Sequence, residues 1–310
     1  MDCEEIKRDF LKPETRCDFY VDEARKELWK CQLDMLELID GICKKHKLKY
    51  MLMWGSLLGA VRHKGFIPWD DDIDVAMPRT DYNRFMQVAP SELPTEYYLY
   101  TQYNASYYAV APLMNIRKRN TTVLEELDFV ESHPRIDFSA FIDIWPIEHL
   151  PKNDFVIKLK VSIGKWIEKI YGYKYERAFG FDCKTSVFRR VMHRFFCLFN
   201  EKTLAHLYDR MFDAYAESKD LPASISPQWH RRLESTYNHR WTYPAHVFDE
   251  VVDVPFEYLT VPIPVEYDRI LTQMYGDWKT PVKGTQAHKF GIIDLHRDAR
   301  ANFQRNGWEF

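Results

Sequence analysis

The chain has 310 residues, 46% of them hydrophobic, and a formal net charge of −3. That is enough for one large or two modest domains with an ample core, and the charge balance argues against a general nucleic-acid binder. No run approaches the roughly 20 apolar residues needed to cross a bilayer, and the charged opening MDCEEIKRDF lacks an apolar signal region, so the expected location is the cytoplasm.

Residues 22–46 predict an amphipathic helix, because Leu28, Cys31, Met35, Ile39, Ile42 and Cys43 recur at helical spacing with charges between them. None of the six cysteines forms a C-x-x-C pair, so neither a zinc ribbon nor a disulfide framework is suggested. Cys43 and His46 lie one turn apart without two further ligands, and Cys43 reads as a small apolar residue on the helix face. KLKYMLMW (47–54) then predicts a buried strand, Gly55-Ser56 a turn, and LLGAVRHKG a short helix stopped by Gly65. Backbone N–H groups at a helix start, given room by glycine, suit a phosphate.

Four aspartates follow in five residues, Asp70, Asp71, Asp72 and Asp74. Read as a strand, period two puts Asp70, Asp72 and Asp74 on one face and Ile73 and Val75 on the other, in the core. Carboxylates this close repel one another and are tolerable when solvated or when a cation sits among them. A calcium loop would need glycine at its sixth position, where Val75 stands. A phosphate cradle followed by a carboxylate-bearing strand is instead the layout of a nucleotidyltransferase-type site. There a few carboxylates and the substrate's own phosphates hold Mg²⁺.

Beyond this segment, Pro78-Arg79-Thr80 closes the strand, with Thr80 expected to cap the helix DYNRFMQVA. Two strands are expected in 97–120, the second ending on Arg117, Lys118 and Arg119. Arg117 is a candidate for donor phosphates, and a solvated basic strand end explains the same pattern. Arg62, His63 and Lys64 are better placed for that task, beside the aspartates. In FIDIWP (141–146) alternation puts Phe141, Asp143 and Trp145 on one face. An acid in such an apolar run is costly unless it is paired or bound to a metal. Residues 152–216 look helical, and VFRRVMHRFFCLFN mixes arginines with Phe195, Phe196, Leu198 and Phe199. This suits a helix packed on the catalytic core with a basic face exposed. It also suits peripheral contact with an anionic membrane at its inner, cytoplasmic face. TYNHRWTYP offers Trp241 and Tyr243 for a sugar or a quaternary ammonium group. VPFEYLTVPIP predicts two extended pieces broken by prolines, and EYDRILTQMYG a helix stopped at Gly276. Asp268, in that helix's first turn, suits the helix dipole. His288 lies close enough to this block to be a phosphate contact.

GSLLGAVRHKGFIPWDDDIDVAMPR closely resembles the defining motif of the LicD family, which also takes in the fukutin-like proteins. FIDIWPIEHLP (141–151) is similar to the family's second block and PFEYLTVPIPVEYDRILTQMYGDWKTP (255–281) to its C-terminal block. Ser56 stands where threonine is common and Trp145 where phenylalanine is common, and neither change removes a charge. The resemblance implies an α/β (α+β) fold, a nucleotidyltransferase-like mixed sheet flanked by helices with a helical insertion. The divisions expected are a catalytic core over 20–151, a mainly helical insertion over 152–245, and a segment over 246–310 that completes the catalytic domain. It implies transfer of a phospho-alcohol, phosphocholine foremost, from a CDP-linked donor to a hydroxyl of a cell-surface glycan or its lipid-linked precursor. It also implies Mg²⁺ or Mn²⁺ on Asp72 and Asp74, with Asp143 as the third carboxylate and Asp70 beside them. Gly55, Ser56, Arg62 and Lys64 are then expected at the substrate. Attack falls on the phosphorus carrying the alcohol and CMP leaves, with Asp143 or Asp70 as general base. A nucleotidyltransferase acting on a small molecule or protein, and a non-catalytic scaffold of the same fold, are the rival readings.

Overall fold

A computed structural model describes residues 3–104, 114–125, 137–178, 191, 194–196, 198–213, 218, 220–225, 242–282 and 290–306. Trp241 and His288, expected at the substrate, lie outside the described residues. A short helix α1 (Cys3–Phe10) and a hairpin β1 (Glu14–Arg16) and β2 (Phe19–Val21) lead into the long helix α2 (Glu23–His46). Helix α2 has local reasons for both ends. The Asp22 side chain accepts from the Arg25 N–H at 2.9 Å, Lys44, Lys45 and His46 fill its last turn, and Lys47 leaves it at φ +56°. Its buried face carries Leu28, Cys31, Met35, Ile39, Ile42 and Cys43, as the spacing predicts.

Strand β3 (Met51–Leu52) is much shorter than the eight apolar-rich residues suggest, because the chain turns at Met53 into helix α3 (Trp54–His63). Gly55 and Ser56 therefore lie in the first turn of α3 rather than in a turn before it. The helix stops at Lys64, whose φ is +57°, and not at Gly65. Gly65 lies against the Glu257 side chain instead, and a Cβ there would force that carboxylate to shift. That carboxylate accepts from Arg16 and from the Phe66 N–H.

Strand β4 (Asp74–Pro78) leads directly into α4 (Arg79–Glu92), so the cap position is Pro78 and Thr80 is already inside the helix. Then come β5 (Tyr97–Thr101), β6 (Met114–Lys118), β7 (Thr122–Glu125) and the long β8 (Phe141–His149). Helices α5 (Asp154–Ala178) and α6 (Glu201–Asp213) follow, then β9 (Ala223–Ile225) and the antiparallel hairpin β10 (Val251–Phe256) and β11 (Leu259–Pro264). Helix α7 (Tyr267–Tyr275), stopped by Gly276 at φ +70°, precedes β12 (Phe290–Asp294) and α8 (Ala299–Asn306).

The central sheet is mixed, with order β3-β4-β8-β6-β5 and β9 also paired to β8. Only β4 and β8 among these run parallel; β6 is antiparallel to β8. Helices α2 and α4 cover the sheet, and the core between them takes Leu33, Leu36, Phe85, Val75, Ile116, Ile142 and Ile144, all fully buried. The fold is the α/β mixed sheet with flanking helices that the sequence implies. A second apolar cluster lies among α5, α6 and their neighbours: Leu150, Ile167, Ile170, Phe196, Leu204 and Tyr208. Among the described residues no helix is long and apolar enough to cross a membrane.

Candidate active site

The site forms where β3 hands over to α3 and where β4 and β8 begin. The Met53 N–H donates to the Asp74 carbonyl at 3.0 Å, and the Ser56 hydroxyl accepts from the Asp74 N–H at 2.8 Å. Ser56 is thus buried as a pin holding the start of α3 on the start of β4. Between them Trp54 has φ +47°, an uncommon conformation for a bulky residue. Strain of this kind clusters at functional sites.

The aspartate run is not one strand, as the alternation suggests; the strand begins only at Asp74. Side chains of α2 impose the alternation instead. Asp71 is buried and ion-paired with Arg25, while its carbonyl accepts from Gln32 at 2.8 Å. The Asp70 carbonyl accepts from the Trp29 indole at 3.0 Å. With Asp71 held inward, Asp70, Asp72 and Asp74 all line one cavity of about 400 Å³.

Asp143 joins them through sheet register. Asp74 and Asp143 are direct partners on the parallel strands β4 and β8, so their side chains share a face about 4.8 Å apart at the backbone. Two residues along that face, the Trp145 indole donates to Asp74 Oδ1 at 2.9 Å, and its ring packs edge-on to Trp54 at 5.2 Å. On the other side of β8, Asn115 is the register partner of Asp143, and its amide N–H donates to Asp143 Oδ1. Asn115 is itself oriented by Arg117, which donates to Asn115 Oδ1 at 3.3 Å. Asn115 escaped the sequence reading; its only signal was a position two residues before Arg117 in the same strand.

Burial pushes the Asp74 carboxyl well above the usual carboxylate range, and Asp72, Asp143 and Asp70 push it further, against the pull of the Trp145 N–H. An uncompensated acid of this kind is stabilised by a cation. Among the described residues no three His, Cys, Asp or Glu side chains stand as a ready-made metal cage. Mg²⁺ does not need one, because it keeps several waters and is usually bound by one or two carboxylates plus substrate phosphates. The hard oxygen donors and the crowding of carboxylates that raises the Asp74 pKa fit such an ion.

The opposite wall of the cavity comes from the end of α7 and the chain beyond it, namely Tyr275, Asp277, Trp278, Thr280 and Val282. These residues were missed at the sequence level, although the YGDWKTP block contains all of them but Val282. Trp278 is anchored by its indole to Asp268 at 3.2 Å, so Asp268 does more than suit a helix dipole. Arg62 lines the cavity and donates to the Trp278 carbonyl at 3.1 Å and to His63 Nε2 at 2.9 Å. Burial, Arg62 and Arg16 lower the His63 pKa to about 4, so it accepts as a neutral ring at pH 7.

Three expectations fail on placement. Arg117 is buried, clasped between the rings of Tyr100 and Phe141 at 4.8 and 4.9 Å, and faces Asp137 and Asn115 rather than the cavity. Lys64 is exposed at the helix end and is not among the cavity residues. Tyr243 is 2% exposed and packs against Phe248, so it is a core residue and not a sugar-binding surface. Gly55 does line the cavity, and a Cβ there would lie 2.5 Å from Asp70 Oδ2, so the glycine makes room for the carboxylate.

Residues 47–192 match the family model for the LicD/FKTN/FKRP nucleotidyltransferase domain. The chain is 28% identical over 261 residues to the lipopolysaccharide cholinephosphotransferase LicD of Haemophilus influenzae, covering 79% of this chain and 88% of that protein. It also resembles uncharacterized proteins of Rickettsia typhi and Rickettsia prowazekii, 41% and 40% identical over 63 residues. In those two cases the match spans about a fifth of each protein (19% and 22%).

Proposed function

Because this chain carries a LicD-family nucleotidyltransferase domain, we propose that it transfers phosphocholine from a CDP-linked donor to a hydroxyl of a lipopolysaccharide-type glycan or its lipid-linked precursor. The observation that carries the reading is the pairing of Asp74 with Asp143 across parallel strands, with Asp74, Asp72 and Asp70 lining a cavity with aromatic walls. The acceptor comes from the named activity of the Haemophilus relative, which acts on lipopolysaccharide. Trp54, Trp69, Tyr275 and Trp278 supply faces that attract a quaternary ammonium group, and Asp277 beside them adds negative charge.

Asp72 and Asp74, with Asp143 alongside, are the residues that would hold Mg²⁺ or Mn²⁺. Such an ion, when bound, offsets the charge of the pyrophosphate and of the departing CMP. The rest of the work falls to the protein. Trp145 and Asn115 each tie down one carboxylate oxygen, which fixes Asp74 and Asp143 in place before substrate arrives. Arg62 is the cation on the cavity wall for donor phosphates. The acceptor oxygen forms the new bond to the phosphorus carrying choline, the bond to the CMP oxygen breaks, and the hydroxyl proton passes to a neighbouring carboxylate.

The test is product analysis with CDP-choline, CDP-ribitol and CDP-glycerol in the presence of Mg²⁺ and a glycan acceptor. Release of CMP from CDP-choline, and little from the other two, supports the reading. Release of pyrophosphate from a nucleoside triphosphate instead would show attack on the α-phosphorus and a nucleotidyltransferase. Failure to bind any of these nucleotides would point to a scaffold.

A further inference from the structure

Helix α5 buries Ile157, Val161 and Ile167 on one side, and Ile167 packs with Leu204 and Tyr208 of α6. On the other side Phe155 is 72% exposed, Leu159 50% and Trp166 46%. At 3.6 residues per turn these three fall within about 40° of one another, so they form one stripe along the helix. The stripe continues off the helix. Trp166 packs on Phe199 with ring centroids 6.0 Å apart, and Phe199 on Phe195 at 5.6 Å. Phe195 is 49% exposed and Leu198 79%. Single exposed apolar residues need no explanation, but a joined series does.

The charge beside this stripe has one dominant sign. Lys158, Lys165 and Lys169 are exposed and lie on one flank of it by the same helical spacing, and Arg194 is exposed next to Phe195. The acidic residue at this end of α5 is Asp154, in the first turn. Apolar side chains rimmed by lysines match a bilayer surface that offers acyl chains below anionic headgroups, and the face does not match a second protein with a basic rim.

We propose that the outer face of α5, with Phe195 and Leu198, docks this protein on an anionic lipid bilayer without spanning it. The proposal is independent of the donor and of the chemistry at the aspartates. It goes beyond the sequence-level reading, which placed such a contact on residues 187–200 alone and missed α5.

The experiment is co-sedimentation of the full chain with vesicles of phosphatidylcholine alone and of phosphatidylcholine with phosphatidylglycerol. Wild type should bind the anionic vesicles and bind the neutral ones much less, and added salt should weaken but not abolish the binding. Phe155→Glu combined with Leu198→Glu should lower the bound fraction about ten-fold, with an unchanged melting temperature because both side chains are exposed. A second variant, Lys158→Gln with Lys165→Gln, should lose the preference for anionic lipid. Wild type that ignores both vesicle types overturns the proposal, as does unchanged sedimentation of the Phe155/Leu198 variant. A wild-type dimer in lipid-free solution that this variant converts to monomer overturns it in favour of a second copy of the chain.

Discussion

Two clusters of charge, one half-buried at the cavity and one buried, sit at opposite ends of the same pair of strands. At the start of β4 and β8, Asp74 and Asp143 stand beside Asp72 and Asp70; the Asp74 carboxyl accepts from a neutral indole and the Asp143 carboxyl from a neutral amide. At the far end, Arg79 follows β4 and Glu148 lies in β8, both fully buried. There the guanidinium donates to Glu148 at 2.7 Å, pairs with Asp209, and lies 3.2 Å from Asp213, so it ties α6 to the sheet. Tyr103 and Asn83 complete that cluster through Asp209 and Asp213. The far cluster is built round a fully buried guanidinium, whereas the hydrogen bonds that hold Asp74 and Asp143 come from neutral groups. A buried cation among carboxylates serves structure, and carboxylates crowded together at a cavity suit a site that receives a cation from outside.

The largest expected effect is on activity, from Asp74→Asn. Asparagine keeps the shape and removes the charge, so turnover should fall by about 10³-fold or more. Stability should move the other way. The folded pKa of Asp74 is raised above the ordinary 3.8, so its contribution to stability is full below 3.8 and is lost as pH rises through the raised value. At neutral pH the metal-free Asn variant should therefore melt no lower than wild type. Mg²⁺ should raise the melting temperature of wild type and leave that of the variant where it was. Melts of both proteins with and without the ion check this, and a variant that melts far below wild type without metal would place Asp74 with the structural cluster.

Arg79→Met should do the reverse. It leaves Glu148, Asp209 and Asp213 without their partner in a buried setting, at a cost of about 3–5 kcal/mol. Urea titration reads that loss. Binding of CDP-choline to the fraction that remains folded should be unchanged, because Arg79 lies at the other end of the strands.

How much of each cluster the sequence discloses follows from how local its causes are. The run Asp70–Asp74 announces itself because four aspartates fall in five residues and charged and apolar residues alternate from Asp72 to Val75. Its strand does not, because the first two of those residues, Asp70 and Asp71, are held by Arg25, Trp29 and Gln32 of α2, some 40 positions away. Asp143 is legible as an acid among Phe141, Ile142 and Ile144, and only the register of β8 reveals Asn115 next to it. Arg117 misleads because its burial comes from rings on two neighbouring strands. The aromatic wall at Tyr275 and Trp278 was readable only as a helix end, since Gly276 punctuates it so clearly. The cluster at Arg79 left no trace at all. Its partners stand 69 and 130 residues further along, and Arg79 reads as an ordinary residue in a helix's first turn.

The smallest effect, and the sharpest test of the comparison, concerns Glu148. It has an arginine partner, yet burial dominates and the neighbouring Asp209 and Asp213 add to it, raising its pKa from 4.5 to about 7. Its second oxygen, Oε2, has no hydrogen-bond partner among the described residues. A folded pKa above the unfolded one means that the stability it contributes is complete below pH 4.5 and is lost as pH rises through about 7. The Asp74 site adds a loss of the same sign in the absence of metal, so wild type with Mg²⁺ present isolates the Glu148 part. Glu148→Gln cannot ionise, keeps an oxygen for Arg79 to donate to, and should flatten the stability profile between pH 5 and 8 by about 1–3 kcal/mol. The variant should be weaker than wild type at pH 5 and equal to it or stronger at pH 8. Urea titrations at the two pH values decide. If the Gln variant is weaker by the same amount at both, Glu148 is fully ionised throughout and Arg79 compensates it completely. The contrast between the two ends of the strands would then be wider than the buried distances suggest. If the profiles converge as pH rises, the far cluster is only partly neutralised at neutral pH, and the two sites differ in degree of compensation rather than in kind.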